Sequence, residues 1–200
     1  MTLSTPQPIE EDLVRLHLRT NPLNTQILGG IHLRGSRMSI ESPQRKDLDE
    51  ILHVAKSTQV FDAEELGIIQ EMFDGFFHPS SYYDHSFIVY RHEETGAIGG
   101  FAVYGPVTMT DRVWDLYWIC VNRAEQGNGV GLALLQRMEQ DLCARGARAI
   151  YLETSTSELY HPARNFYERH GFEVAACLPD YYAPGEGMCI YRKTFPALNP

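Results

Sequence analysis

Basic residues are scarce in this chain. Its 200 residues hold 17 Lys and Arg against 26 Asp and Glu, a formal charge of −9. A general nucleic-acid binder needs a basic face to displace counterions, so no nucleic-acid partner is expected. Long apolar runs are missing too. The longest uncharged stretch, residues 96–110, contains four glycines and a proline, whereas a membrane-spanning helix needs about 20 apolar residues. Glu10, Glu11 and Asp12 stand where a signal peptide keeps its apolar core. A cytoplasmic protein with no membrane partner is the expectation. Cysteine is sparse: Cys120, Cys143, Cys177 and Cys189 lie far apart with no C-x-x-C pair. That spacing predicts reduced, mostly buried thiols and no metal site.

What is present is an ordinary globular composition, 44% apolar and 22% charged. The length fits one domain with a short appendage. Residues 1–37 hold Pro6, Pro8, Pro22 and the Gly29-Gly30 pair, carry a net +1, and show only a brief helical pattern at 9–18. They read as an N-terminal appendage to a domain of residues 38–200, and Met38 could itself be a start site. Intact mass of the natively produced protein tests that last point.

From Met38 the pattern alternates. Residues 38–41 read as a short strand, and Leu48, Ile51, Leu52 and Ala55 recur at helical spacing. Asp62 with Glu65 three residues on is a capping-box signature for a second helix. Residues 87–90, 97–104 and 113–121 read as three strands. A helix follows from 130, stopping at Gly146 as a left-handed cap, and then a strand at 149–154. Pro162 opens another helix to Gly171. Strands at 172–177 and 188–195 end the domain, joined by a loop rich in Tyr, Pro and Gly. The order describes one α/β domain on a mixed sheet. Trp114 and Trp118 fall on one face of their strand as packing residues. His78, His85 and His92 are spaced by seven, but an intervening strand and turn keep them from sharing a metal.

The segment Gln126-Gly127-Asn128-Gly129-Val130-Gly131 lies between the aromatic strand and the helix after it. Glycines let successive N–H groups aim into one hollow, and the helix adds its positive end. Such a bend can hold a diphosphate without lysines; it can also be a tight turn with glycines for steric reasons. It is neither G-x-G-x-x-G nor a nucleotide-triphosphate loop.

The bend fits Q-x-x-G-x-G, and in this it resembles the acyl-CoA loop of the GNAT superfamily of N-acetyltransferases. The strand 115–121 before it and Leu132-Ala133-Leu134-Leu135 after it are similar to that family. So is Ala163-Arg164-Asn165-Phe166-Tyr167-Glu168-Arg169-His170-Gly171-Phe172, which looks like A-x-x-F-Y-x-x-x-G-F. Tyr181 to Gly185 resemble the Tyr-Tyr-Ala-Pro-Gly loop of some bacterial members. The resemblance spans about residues 38 to 195. It implies the GNAT fold, a mixed six- to seven-stranded sheet flanked by about four helices. It also implies an enzyme that transfers acetyl from acetyl-CoA to a primary amine of a small molecule or peptide.

On that resemblance, Ile119, Cys120 and Val121 bind pantetheine through their backbone in a gap between the fourth and fifth strands. Gln126, Gly127, Asn128, Gly129, Val130 and Gly131 hold the pyrophosphate, and Arg123 or Arg164 is either an adenosine-side contact or a surface charge. Tyr167 matches the general acid for the departing thiolate, or is a packed aromatic. Asp115 and Glu153 are alternative bases, each also open to a structural hydrogen bond. Tyr181 and Tyr182 line the acceptor pocket. Tyr160 stands where the family often carries Asn, so an Asn contact to the cofactor is not expected. No cysteine sits beside a His–acid pair, which favours direct attack. A homodimer is admitted, since dimers are common among such proteins. The competing class is a non-catalytic acyl-CoA sensor or interaction module.

Overall fold

The computed structural model describes residues 38–78 and 84–196; the appendage and its helical pattern at 9–18 lie outside the described residues. Seven strands form one sheet in the order β1-β2-β3-β4-β5-β7-β6. They are β1 (Met38–Glu41), β2 (Ser86–His92), β3 (Ile98–Pro106), β4 (Val113–Val121), β5 (Ala149–Ser155), β6 (Glu173–Ala183) and β7 (Glu186–Thr194). Only β4 and β5 run parallel; every other neighbouring pair is antiparallel. The helices are α1 (Leu48–Thr58), α2 (Ala63–Phe76), α3 (Val130–Ala144) and α4 (His161–Arg169). The result is the expected mixed α/β sheet, seven strands flanked by four helices.

Helix ends follow their residues. Asp62 accepts from the Glu65 N–H and donates its own N–H to the Glu65 carboxylate, each at 2.9 Å, so the capping box starts α2. Gly146 takes φ 70° and closes α3, with the Gly146 N–H on the Cys143 carbonyl and the Ala147 N–H on that of Leu142. Helix α4 ends the same way at Gly171, through Gly171 to Glu168 and Phe172 to Tyr167. That 6→1 and 5→2 pair is the Schellman arrangement. It brings Phe172 against the Tyr167 ring, centroids 5.6 Å apart, and so fixes the phenol from behind.

Two apolar layers sandwich the first half of the sheet. On one face α1 and α2 bury Ile51, Val54, Ile69 and Phe73 on Phe87, Val89, Phe101 and Val103. On the other, α3 and α4 bury Leu134, Leu135, Met138 and Tyr167 on Ala102, Tyr104, Leu116, Ile150 and Leu152. Asp47 is buried at the start of α1, where Arg91 reaches it at 2.5 Å and also holds Glu41. Among the described residues, no helix is long and apolar enough to cross a membrane.

Three expectations need correction. Trp114 and Trp118 do not share a face. Val103 pairs with Trp118 but Tyr104 pairs with Leu116, so Tyr117 is an extra, bulged residue. A bulge reverses the alternation beyond it; Trp114 packs with the α3 layer and Trp118 with the α1–α2 layer. Second, Tyr181 and Tyr182 lie not in a loop but within β6, which runs to Ala183 before a tight turn. Third, the thiols are not all free. Cys177 and Cys189 oppose each other in the β6–β7 register and form a disulfide, leaving Cys120 buried and Cys143 exposed.

Candidate active site

The parallel pairing of β4 with β5 stops after three residue pairs, Val113 to Asp115 against Ala149 to Tyr151. The bulge at Tyr117 falls just beyond, and the strands part from there. The Asn122 N–H donates to the Gly99 carbonyl at 2.8 Å. By antiparallel alternation, Val121 (opposite Gly100) and Ile119 (opposite Ala102) then turn their main-chain groups away from β3. Those groups look into the gap. The Gln126 side-chain amide already reaches the Val121 carbonyl at 3.3 Å, while Cys120 between them is bonded back into the sheet.

At the end of the gap lies the glycine bend. Gly127 and Gly129 take φ of 82° and 86°, a conformation natural to glycine. The first intrahelical bond of α3 runs from the Ala133 N–H to the Gly129 carbonyl, so the N–H groups of Val130, Gly131 and Leu132 precede the ladder. No side chain caps this end. Residues 126 to 129 are exposed, and a Cβ on Gly127 would meet nothing within 4 Å. The bend is open. Glu125, the neighbouring carboxylate, is held by the His92 ring at 2.9 Å, with Gly99 leaving room for it.

Tyr167 projects from α4 into the α3-side layer, its ring beside Phe166, Phe172 and Tyr191. It is 8% exposed, and its hydroxyl makes no hydrogen bond among the described residues. Burial pushes the phenol above its ordinary range, with the nearby Cys120 sulfur adding to the shift, so the group keeps its proton at neutral pH. The Cys120 thiol is raised by burial and by the Glu65 charge, which denies it nucleophile character.

The two carboxylates sit on one side of the sheet. Ile150 and Leu152 point to the α3 layer, as do Trp114 and Leu116, so Glu153 and Asp115 point to the other face. Asp115 is half-buried and Glu153 exposed. Burial, then the Glu153 charge, raise the Asp115 carboxyl. Neither forms an ion pair or side-chain hydrogen bond among the described residues.

The remaining predicted residues have other positions. Arg164 is committed to the Ser155 and Ser157 carbonyls at 2.5 and 2.8 Å, and so pins the β5–α4 turn. Arg123 reaches the Gln59 side chain beyond α1. Tyr181 and Tyr182 are 56% and 50% exposed and meet edge to face at 5.0 Å. His78 and His85 turn to the carbonyls of Asp74 and Met72. No group of three or more His, Cys, Asp or Glu that could hold a metal occurs among the described residues. Sequence reasoning missed the pairing of His92 with Glu125 beside the bend. His92 was visible only as one of three spaced histidines, and nothing near Glu125 in the chain marks it.

The sheet is thus parted between its two parallel strands, with an open helix start at one end of the gap. The chain matches the acetyltransferase (GNAT) family over residues 48–172, and it belongs to that family. A solved GNAT-family protein from Desulfovibrio desulfuricans is 32% identical, with 78% of this chain and 98% of that one covered at a TM-score of 0.73. The ribosomal-protein-S18-alanine N-acetyltransferase of Escherichia coli shares the fold at 22% identity, 81% and 96% coverage and TM-score 0.65. An aminoglycoside 6'-N-acetyltransferase solved with coenzyme A does so at 17% identity, 80% and 99% coverage and TM-score 0.62. A comparison with curated protein sequences finds no match.

Proposed function

We propose that the protein transfers acetyl from acetyl-CoA to a primary amine by direct attack. The observation that carries this is Tyr167, a buried residue whose phenol keeps its proton and makes no hydrogen bond among the described residues, near Cys120 of the parted strand β4. Acetyl-CoA as co-substrate would supply a thioester whose carbonyl carbon bonds the amine nitrogen as its C–S bond breaks. The free N–H groups of Val130, Gly131 and Leu132 suit its pyrophosphate. The gap-facing groups of Ile119 and Val121 suit an extended amide-bearing arm, added like a strand. Tyr167 donates its proton to the departing thiolate.

An ammonium of ordinary pKa costs about 4–5 kcal/mol to deprotonate at pH 7. Asp115, whose carboxyl is pushed up by burial and by the Glu153 charge, serves as the base in this reading, and Glu153 beside it helps attract the cation. With Cys120 buried and its thiol raised, no acyl-cysteine step is needed.

Thiol release with acetyl-CoA and a panel of amines tests the reading. Tyr167→Phe is expected to lower kcat about 100-fold or more while leaving the thermal shift produced by CoA nearly unchanged. Binding of CoA without thiol release for any amine would instead favour a non-catalytic acyl-CoA sensor.

A further inference from the structure

The residue that leads into the glycine bend is a carboxylate. Glu125 immediately precedes Gln126, and its carbonyl accepts from the Asn128 N–H at 3.3 Å, so the bend folds back beside it. Such a charge opposes a diphosphate in two ways. It repels the anion directly, and a carboxylate beside an uncapped helix start is itself a natural partner for the free N–H groups there. Residues 126–131 include no lysine or arginine to offset it. Arg123, two residues before Glu125, turns instead to α1: its side chain reaches Gln59 and its main-chain N–H donates to the Ser57 hydroxyl at 3.1 Å.

Glu125 is nevertheless kept off those groups. The His92 Nε2–H, at the end of β2, donates to the carboxylate from 2.9 Å to each oxygen. Among the described residues no other side chain or N–H group holds it. The niche is built for it. The β2–β3 register passes from Tyr90 opposite Gly100 to Arg91 opposite Ile98, so Gly99 is an extra, bulged residue. A Cβ on Gly99 would lie 2.6 Å from a Glu125 carboxylate oxygen, so only glycine leaves this space. His92 is itself fixed. Its ring meets that of Tyr90 edge-on at 5.8 Å, its N–H donates to the Ala97 carbonyl, and its carbonyl accepts from Gly96. A residue of the β2–β3 hairpin thus disposes of a charge that the bend brings with it.

We propose that His92 is a positioning residue for the co-substrate: by pinning Glu125 over Gly99 it prevents this carboxylate from capping α3, and so leaves the N–H groups of Val130, Gly131 and Leu132 to the diphosphate of acetyl-CoA. The proposal rests on the acetyltransferase reading of the bend and deepens it. Its signature is an asymmetry between two residues that share one hydrogen bond. Losing the histidine frees the charge, whereas losing the glutamate removes it.

Coenzyme A binding by titration calorimetry reads that asymmetry. His92→Ala is expected to raise the Kd about fivefold. Glu125→Ala should bind at least as tightly as wild type, and the double variant should follow Glu125→Ala. In thiol release, the His92→Ala change should fall on KM for acetyl-CoA and leave kcat within about twofold. At about 1 M salt, where the Debye length is about 3 Å, the ratio of His92→Ala to wild type should approach one. Melting temperature reports that each variant is folded. Glu125→Ala binding as weakly as His92→Ala would reduce the pair to a structural latch and overturn the proposal, with the acetyltransferase reading intact. A folded His92→Ala protein that binds coenzyme A as wild type does would overturn it too. Wild-type protein that binds no coenzyme A would bring down both readings.

Discussion

The two central antiparallel strands and the far edge of the sheet obey different rules. Along β3 every residue from Ile98 to Gly105 is buried, and helices cover both faces. Along β6 all 11 residues are exposed, Val174, Leu178, Tyr181 and Tyr182 among the large apolar ones. Apolar volume holds the first region. The second is tied to β7 by its ladder and by point attachments: the Cys177–Cys189 disulfide, and Glu173 with Arg192 of β7 at 4.0 Å. The candidate site lies on the border, where covered sheet gives way to open sheet. A rigid wall thus presents the phenol and backbone groups, while a less packed wall faces the acceptor.

The sharpest way to break this contrast is to cut into each region. Phe101, fully buried and stacked with Phe87, is expected to cost about 3–5 kcal/mol as Phe101→Ala, read from the urea midpoint. Tyr181→Ala on β6 should stay within about 0.5 kcal/mol; a β6 loss as large as that at Phe101 would erase the distinction. An intermediate effect is expected from the disulfide. Its bridge spans 12 residues of one hairpin, and reduction by dithiothreitol should lower stability by about 2–3 kcal/mol, an effect absent in Cys177→Ser.

The smallest effect concerns the border itself. Burial and Glu153 place the folded-state pKa of Asp115 above its unfolded value. The carboxyl therefore favours folding at low pH, when protonated, and that contribution is lost as pH rises through the raised pKa. Asp115→Asn should melt slightly higher than wild type at pH 7, and the gain should vanish at acid pH. With Asp115 as the base, the same raised pKa should set the acid limb of kcat/KM, and Asp115→Asn should abolish that limb.

Local chemistry was legible and long-range placement was not. The Asp62–Glu65 cap, the Gly146 stop and the stripe of α1 each follow from residues within a turn of one another. The glycine bend and the helix bearing Tyr167 are equally compact signals. The Tyr117 bulge leaves no such mark, because a run of aromatics reads as regular alternation. Joining Cys177 to Cys189 requires the β6–β7 register, which depends on pairing rather than composition. Nor could His92 and Glu125 be associated with each other, since 33 positions separate them and only the folded sheet unites them.

A middle strand of a seven-stranded sheet would ordinarily guard its amide protons as closely as any in the molecule. Strand β4 departs from that, since its bonds to β5 end at Asp115. The Ile119 and Val121 amides should therefore take up deuterium as a border strand does, while that of Cys120, locked to β3, exchanges slowly. Slowed uptake at those two alternate positions, and not at the one between, would be the isotopic footprint of a strand-like guest.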